Sequence, residues 1–366
     1  MWPERVAAIV LMTSVTMTVG IGLASADLTL ELVDEVFNEY PWPVEILAED
    51  ELVVVGRGYS YGFQYEIFRI ELMVLEGSPP FYRVASLDFS DAVVSMDLVD
   101  SELVIVDEDN TLRVFDLSDP AAPSLLVEYS LPEEPVGVSI SENVVFVADG
   151  GLRVIDISDP AAPYEVTWII PDGWWISSIL GIVGNHLYCG HPAFGNEWYG
   201  GGTYVYNIAD PSNPLEFVQL GTGWPSEFVS RGSRAFAIGS GGSIGRTGID
   251  AIAIADSSIA RPMMVDRKML YFGYDCCASA MTFLGDRLLA SGNHILAALD
   301  PIDFSIIEAV NLEPTWIESM ASIGPYLLVA DAQNGLRVFI DSTEAAIFLD
   351  GFESGDAGGW SASSSR

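Results

Sequence analysis

Hydrophobic and polar residues alternate along most of the chain in short runs, and clusters of Asp, Ser, Asn, Gly and Pro interrupt them. The clearest run is LRVIDISDPAAP, from Leu152 to Pro163. LRVFDLSDPAAP from Leu112 to Pro123 is a near copy, and TYVYNIADPSNP from Thr203 to Pro214 a looser one. In each copy an alternating strand ends in residues that favour a turn. Asp and Ser side chains cap nearby backbone N–H groups, and Asp159-Pro160 fixes φ and bars a continuing central strand. A second proline, Pro163, then opens the next extended run, as proline does at an edge or a strand start.

The position of Asp156 can be followed through the chain as Arg69, Asp116, Asp156, Asn207, Ala253, Ala297 and Ile340, at gaps of 47, 40, 51, 46, 44 and 43 residues. Within the clearest period, VGVSI, VVFVAD, LRVIDI and PYEVTWII read as four strands separated by SEN, GG and the DP turn. Later periods keep the short hairpins in step: ILGIV-GN-HLYCG, FVSRG-SR-AFAIGS, TFLG-DR-LLASG and ASIG-PY-LLVAD. A period in the mid-forties with four strands predicts an all-β chain, a β-propeller of about seven four-stranded blades. A solenoid of larger repeats is the other architecture with such a period, but the helical periodicity it usually requires is missing. The last period, from Ile317 to Ile340, has room for only three strands. Asp27 to Phe37 is a spare strand at the other end, and the hazard of an unpaired edge predicts that it pairs outside Leu336 to Ile340 and closes the ring.

Residues Leu112–Pro123, Leu152–Pro163 and Tyr204–Pro214 resemble the LVIVP repeat family of secreted bacterial proteins, whose units carry an aliphatic strand and then a D-V-S-N-P-x-x-P-like segment. The resemblance implies an exported, propeller-like repeat domain over residues 27–340 and no fixed activity, because propellers host many unrelated functions. The periods around Arg69, Ala253 and Ala297 depart from the pattern and rest on spacing alone.

The two ends of the chain read differently. Residues 1–26 have the form of a signal peptide: Arg5, an apolar stretch from Val6 to Leu23, and Ala24-Ser25-Ala26 before the polar switch at Asp27. An uncleaved anchor helix is the alternative. Cleavage would leave no inserted segment and send the protein outside the cell, to the surface or into the periplasm of a bacterium. Residues 341–366 are rich in Gly, Ser and acid, as in a flexible tail. DGFESGD with Trp360-Ser361 resembles a short terminal tag of exported bacterial proteins.

Charge narrows the list of partners. Lys plus Arg total 15 against 52 Asp plus Glu, a net charge of −37, so nucleic acid and anionic lipid are repelled. Solubility in a salty or extracellular setting explains such acidity, and so does weak divalent-cation binding. Three cysteines, Cys189 and the adjacent Cys276 and Cys277, do not form a spaced disulfide framework. No cofactor is implied, and Asp107-Glu108-Asp109-Asn110 is the nearest approach to a Ca2+ loop. It lacks the glycine and distal Glu of an EF-hand and reads equally as a polar hairpin.

No S-x-D-x-G-x-T-W box, G-x-S-x-G elbow, H-E-x-x-H or P-loop is present. In a propeller, the loops between blades and those joining second to third strands emerge on one face. Here the between-blade loops hold Asp172, Trp174, Trp175, Trp224, Tyr274, Asp275 and Trp316, and the stretches Gly56 to Glu66, Gly190 to Gly202 and Gly239 to Gly248 read as long loops that add His191 and Trp198. Flat aromatic rings beside acidic groups suit a protein, peptide or glycan ligand, or they wedge blades together as packing. The expected function is a binding or scaffold module without catalysis. The alternatives are an extracellular hydrolase or lyase acting on carbohydrate, with Asp172, Asp275 or His191 as acid/base groups, and a quinoprotein-like cofactor site at Cys276-Cys277.

Overall fold

The computed structural model describes residues 28, 30–37, 41–61, 64–75, 81–170, 176, 178–191, 202–220, 224–231, 234–240, 247–253, 263–270, 278–292, 295–301, 304–312 and 317–341. Every regular element among them is a β-strand. Four sheets follow chain order, each of four antiparallel strands, beginning at Gly137–Ser141, Ser178–Val183, Trp224–Arg231 and Ala278–Leu284. A fifth combines Ile317–Ile323, Tyr326–Asp331 and Gly335–Asp341 with Leu30–Val36, which pairs outermost from Leu30↔Asp341 to Val36↔Leu336.

The sixth sheet, of seven strands, merges two repeat units through one long strand, Tyr82–Val99. Its first half pairs with Gln64–Val74, from Tyr82 opposite Val74 to Asp88 opposite Arg69 and, past an irregularity, Val93 opposite Ile67. Its second half pairs with Glu102–Asp107, from Val93↔Asp107 to Val99↔Glu102. One strand is therefore the outer strand of one unit and the first strand of the next.

Three details correct the sequence reading. Leu52 pairs with Val74 as Val144 pairs with Asp156, so the equivalent of Asp156 in the first unit is Val74 and not Arg69. Without a DP turn the spacing had nothing to fix the phase there. In the unit beginning at Ala278–Leu284, Leu284 pairs with Arg287 and Leu288 with Leu299, so the equivalent of Asp156 is Asp300 and not Ala297. Gly56 to Glu66 is also no loop, because the hairpin pairs as far as Tyr61↔Gln64. A Cβ on Gly58 would lie 1.8 Å from the Glu66 carbonyl oxygen, so glycine is what lets the two strands approach.

The repeated turn has one hydrogen-bonding plan. Oδ1 of Asp116, Asp156 and Asn207 accepts the N–H two residues on, and Oδ1 of Asp119, Asp159 and Asp210 does the same. The N–H after each third strand, at Leu117, Ile157 and Ile208, reaches the hairpin of its own unit at Ser101, Asn143 and Asn185. These two-residue hairpins carry positive φ at Asp50, Asp100, Glu142, Gly184, Gly285 and Gly324. One end of the sheets is thus built from short, internally satisfied turns.

Middle strands such as Val53–Val55 and Leu103–Val106 are fully buried on both faces, and their sequences are correspondingly continuous rather than alternating. The buried apolar residues fall into clusters shared by neighbouring units: Val104, Val114, Val145 and Ile155 fill one, Phe146, Val154, Leu187 and Tyr206 the next. Val53, Val55 and Met73 of the first unit share a cluster with Leu328, Ala330 and Val338 of the last. Polar ties follow the same seams: Ile46 N–H donates to Ser319 Oγ at 3.2 Å, Val138 N–H to Ser95 Oγ at 3.2 Å, and Ser322 Oγ to the Phe283 carbonyl.

Neighbouring first strands come close at Gly137, where an added Cβ would sit 2.5 Å from the Ile179 nitrogen. Gly137→Ala is expected to cost about 1–3 kcal/mol by forcing the two strands apart. Urea unfolding measures this, and an unchanged midpoint would mean that the seam gives way freely.

Candidate functional site

The end of the sheets opposite the short hairpins carries the second-to-third-strand turns and the connections between units. They meet there: Leu131 N–H donates to the Asn110 carbonyl at 2.7 Å, and Val136 N–H to that of Ala148 at 2.8 Å. Of the residues expected to bind a ligand, Trp174, Trp175, Trp198, Tyr274, Asp275 and Trp316 lie outside the described residues. Asp172, Cys276 and Cys277 do too. His191 ends the strand His186–His191 opposite Gly202. Trp224 is not in a loop but begins the strand Trp224–Arg231, opposite Ser240. The backbone of both therefore reaches this end. Gly190, Gly202, Gly239 and Gly248 are likewise strand residues, so the two long connections are shorter than the sequence implied. Cys189 is buried without a disulfide partner, and burial pushes its thiol pKa up, which makes it inert.

The same end holds a recurrent ion-pair device that sequence reasoning missed. Asp107, closing a second strand, accepts the N–H groups of Asp109 and Thr111 on Oδ1 and the Arg113 guanidinium on Oδ2. Arg113 Nε then donates to Glu128 on the outer strand at 3.2 Å. Asp149, Arg153 and Glu165 repeat the arrangement, and so do Asp331, Arg337 and Glu35. An Asp four or six residues before the Arg of the third strand was the available signal. With both Asp107 oxygens engaged, the Asp107–Asn110 segment behaves as the hairpin it resembles. Beside Asp149 stands Trp168, with its ring under the Arg153 guanidinium at 5.3 Å, its Nε1–H donating to Asp149 Oδ1 at 3.2 Å, and 41% of its surface exposed.

The first strands of successive units pack side by side and form a half-open cavity of about 200 Å3 near the hairpin end, lined by Asp97, Ser139, Leu180, Ile182, Phe228 and Val229 among others. Asp97 Oδ2 accepts the Ser139 hydroxyl at 2.6 Å and the Ile140 N–H at 3.1 Å, and its Oδ1 accepts the Leu98 N–H. Glu45, on the neighbouring first strand, feels the Asp97 charge. Burial and then that charge raise its pKa to about 8. Burial raises Asp97 as well, while its three donors pull the other way. The donors around Asp97 favour its anion, whereas nothing comparable offsets the burial of Glu45. Among the described residues no group of three or more His, Cys, Asp or Glu is placed to hold a metal ion.

Two segments, residues 102–130 and 136–168, match the LVIVD repeat family, which covers two of the three DP-turn copies. No curated protein matches the chain. Among solved structures, the β-propeller domain of Myceliophteria thermophila Cps50 (Swd1) is similar at TM-score 0.63 and 12% identity, over 85% of this chain and 99% of that one. The computationally designed Ika8 protein is similar at TM-score 0.56 and 10% identity, over 84% and 98% of the two chains. At such identities the likeness shows the fold, a β-propeller.

Glu45 gives the fold a predictable pH response. Its pKa is about 8 when folded against 4.5 as the ordinary value, so the folded chain holds the extra proton between those limits. Stability from this group is complete below pH 4.5 and is lost as pH rises through about 8. Glu45→Gln is expected to flatten this fall and to add roughly 2 kcal/mol above it. Urea unfolding across the window checks both, and a variant as pH-dependent as the parent would locate the response elsewhere.

Proposed function

Starting from a chain with two LVIVD repeats and a β-propeller fold, we propose that the protein is an exported, non-catalytic binding or scaffold module. It captures a protein, peptide or glycan on the end reached by His191 and Trp224, to which the sequence reading assigns Trp174, Trp175, Trp198, Trp316, Tyr274 and Asp275 as well. The observation behind this reading is the asymmetry of the two ends. The hairpin end is made of two-residue turns and internally satisfied Asx turns, leaving little polar chemistry for a partner. The other end carries the connections that vary in length, which is where a rigid scaffold places recognition.

Counting the seven-stranded sheet as two units gives seven blades, and the Leu30–Val36 strand is the device that closes their ring. Arg57 supports this role: its ring contact with Phe37 at 4.7 Å and its hydrogen bond to the Pro41 carbonyl at 3.0 Å anchor the chain just beyond the strand. In this reading residues 1–26 act as a signal peptide, the residues after Asp341 as a tail, and the mature protein works outside the cell, at the surface or in the periplasm.

Removing residues 27–37 is expected to bare the edge at Gly335–Asp341 and to cause aggregation or much earlier melting, as followed by light scattering and calorimetry. A truncated protein as soluble and stable as the parent would refute closure.

Truncation of one aromatic anchor typically removes about 2 kcal/mol of binding, or about thirtyfold in affinity. Trp174→Ala combined with Trp224→Ala should therefore abolish signals on glycan and peptide arrays while unfolding stays cooperative. Glu142→Ala, in a hairpin of the other end, should leave them intact. Array binding that survives the double change would remove this face from consideration.

A further inference from the structure

The Asp97 carboxylate in the cavity between first strands differs from five buried acids of the fold. Glu71, Asp107, Asp149, Asp331 and Asp341 each face an arginine, respectively Arg57, Arg113, Arg153, Arg337 and Arg287. Asp97 and Glu45 have no ion pair among the described residues. Asp97 is held by three neutral donors, which stabilise its charge without cancelling it.

Leu180, Ile182, Phe228 and Val229 line the same cavity, together with Ser139 and Ser230. One side of Phe228 is taken by Tyr188, with ring centroids 4.9 Å apart. Room for the ring comes from Gly181, whose φ is +151° and whose added Cβ would lie 3.1 Å from Phe228. A carboxylate that shares a cavity with aromatic and aliphatic side chains matches a cation carried on an apolar body. A bare divalent ion would need several oxygen ligands, and this lining supplies few. The chain's net charge of −37 enriches cations around it and repels anions.

We infer that this cavity is a binding site for a small organic amine, with Asp97 as the counter-ion and Phe228 as the apolar contact. The site is independent of the aromatic face proposed above and of whatever binds there.

Titration calorimetry on the full chain with benzylamine, the neutral benzyl alcohol and calcium chloride tests it. Benzylamine should bind saturably, at least about tenfold more tightly than benzyl alcohol. Asp97→Asn should weaken it at least about tenfold and Phe228→Leu about threefold, whereas Glu45→Gln, which mimics the protonated acid, should change it less than about twofold. The inference is overturned if benzylamine does not bind, if the alcohol binds equally well, or if Asp97→Asn binds like the parent. Calcium binding that Asp97→Asn removes, without amine binding, would reassign the cavity to a metal. Should Asp97→Asn fail to fold, the amine-to-alcohol ratio and Phe228→Leu decide.

Discussion

An antiparallel sheet of four strands has two apolar faces here, and neither can be left to water. The fold depends on that constraint. Each unit covers a face of the next, so Val104 and Val145, or Val154 and Leu187, meet across a seam although they belong to different sheets. Second strands lie between both seams and are fully buried, while outer strands alternate and expose Leu125, Tyr164, Leu215 and Ile306. Since no unit buries its faces alone, the first and last must also meet, and they do so through Val53, Met73 and Leu328.

Electrostatics is arranged around the same seams. In a chain so short of cations, the described arginines are engaged within and between units: Arg113 and Arg153 join three strands each, Arg287 reaches Asp341, and Arg231 reaches Asp286 at 2.5 Å. Buried ion pairs add little net stability, but they penalise any register that separates them. That suits a stack of similar sheets, where a slipped strand would otherwise find an equally apolar neighbour. The excess acid is left on the surface and, at Asp97, in the cavity between first strands.

Function separates from fold along the two ends of the sheets. The hairpin end is governed by backbone geometry, with positive φ at Asp100 and Ser101 and a carboxylate, Glu49, accepting both of their N–H groups. The opposite end has the recurrent Asp–Arg–Glu sets as its rigid base, and Trp168 shows how such a set fixes an aromatic ring while leaving part of it open.

The sequence by itself determined what is local. The alternation of Leu152 to Ile157, the Asx turn at Asp159 and the two-residue hairpins depend on residues within a few positions of one another, and each was legible. Where the local signal was weak, the reading slipped: without a DP turn the first unit lost its phase by five residues, from Arg69 to Val74, and its long hairpin was taken for a loop. Only the tertiary structure decided that one strand, Tyr82–Val99, serves two units, because its two halves differ in partner rather than in pattern. It alone brought Glu45 near Asp97, and Asp97 into a cavity that Phe228 also lines. Those residues come from separate first strands, and the packing of successive units, not any spacing along the chain, sets their approach.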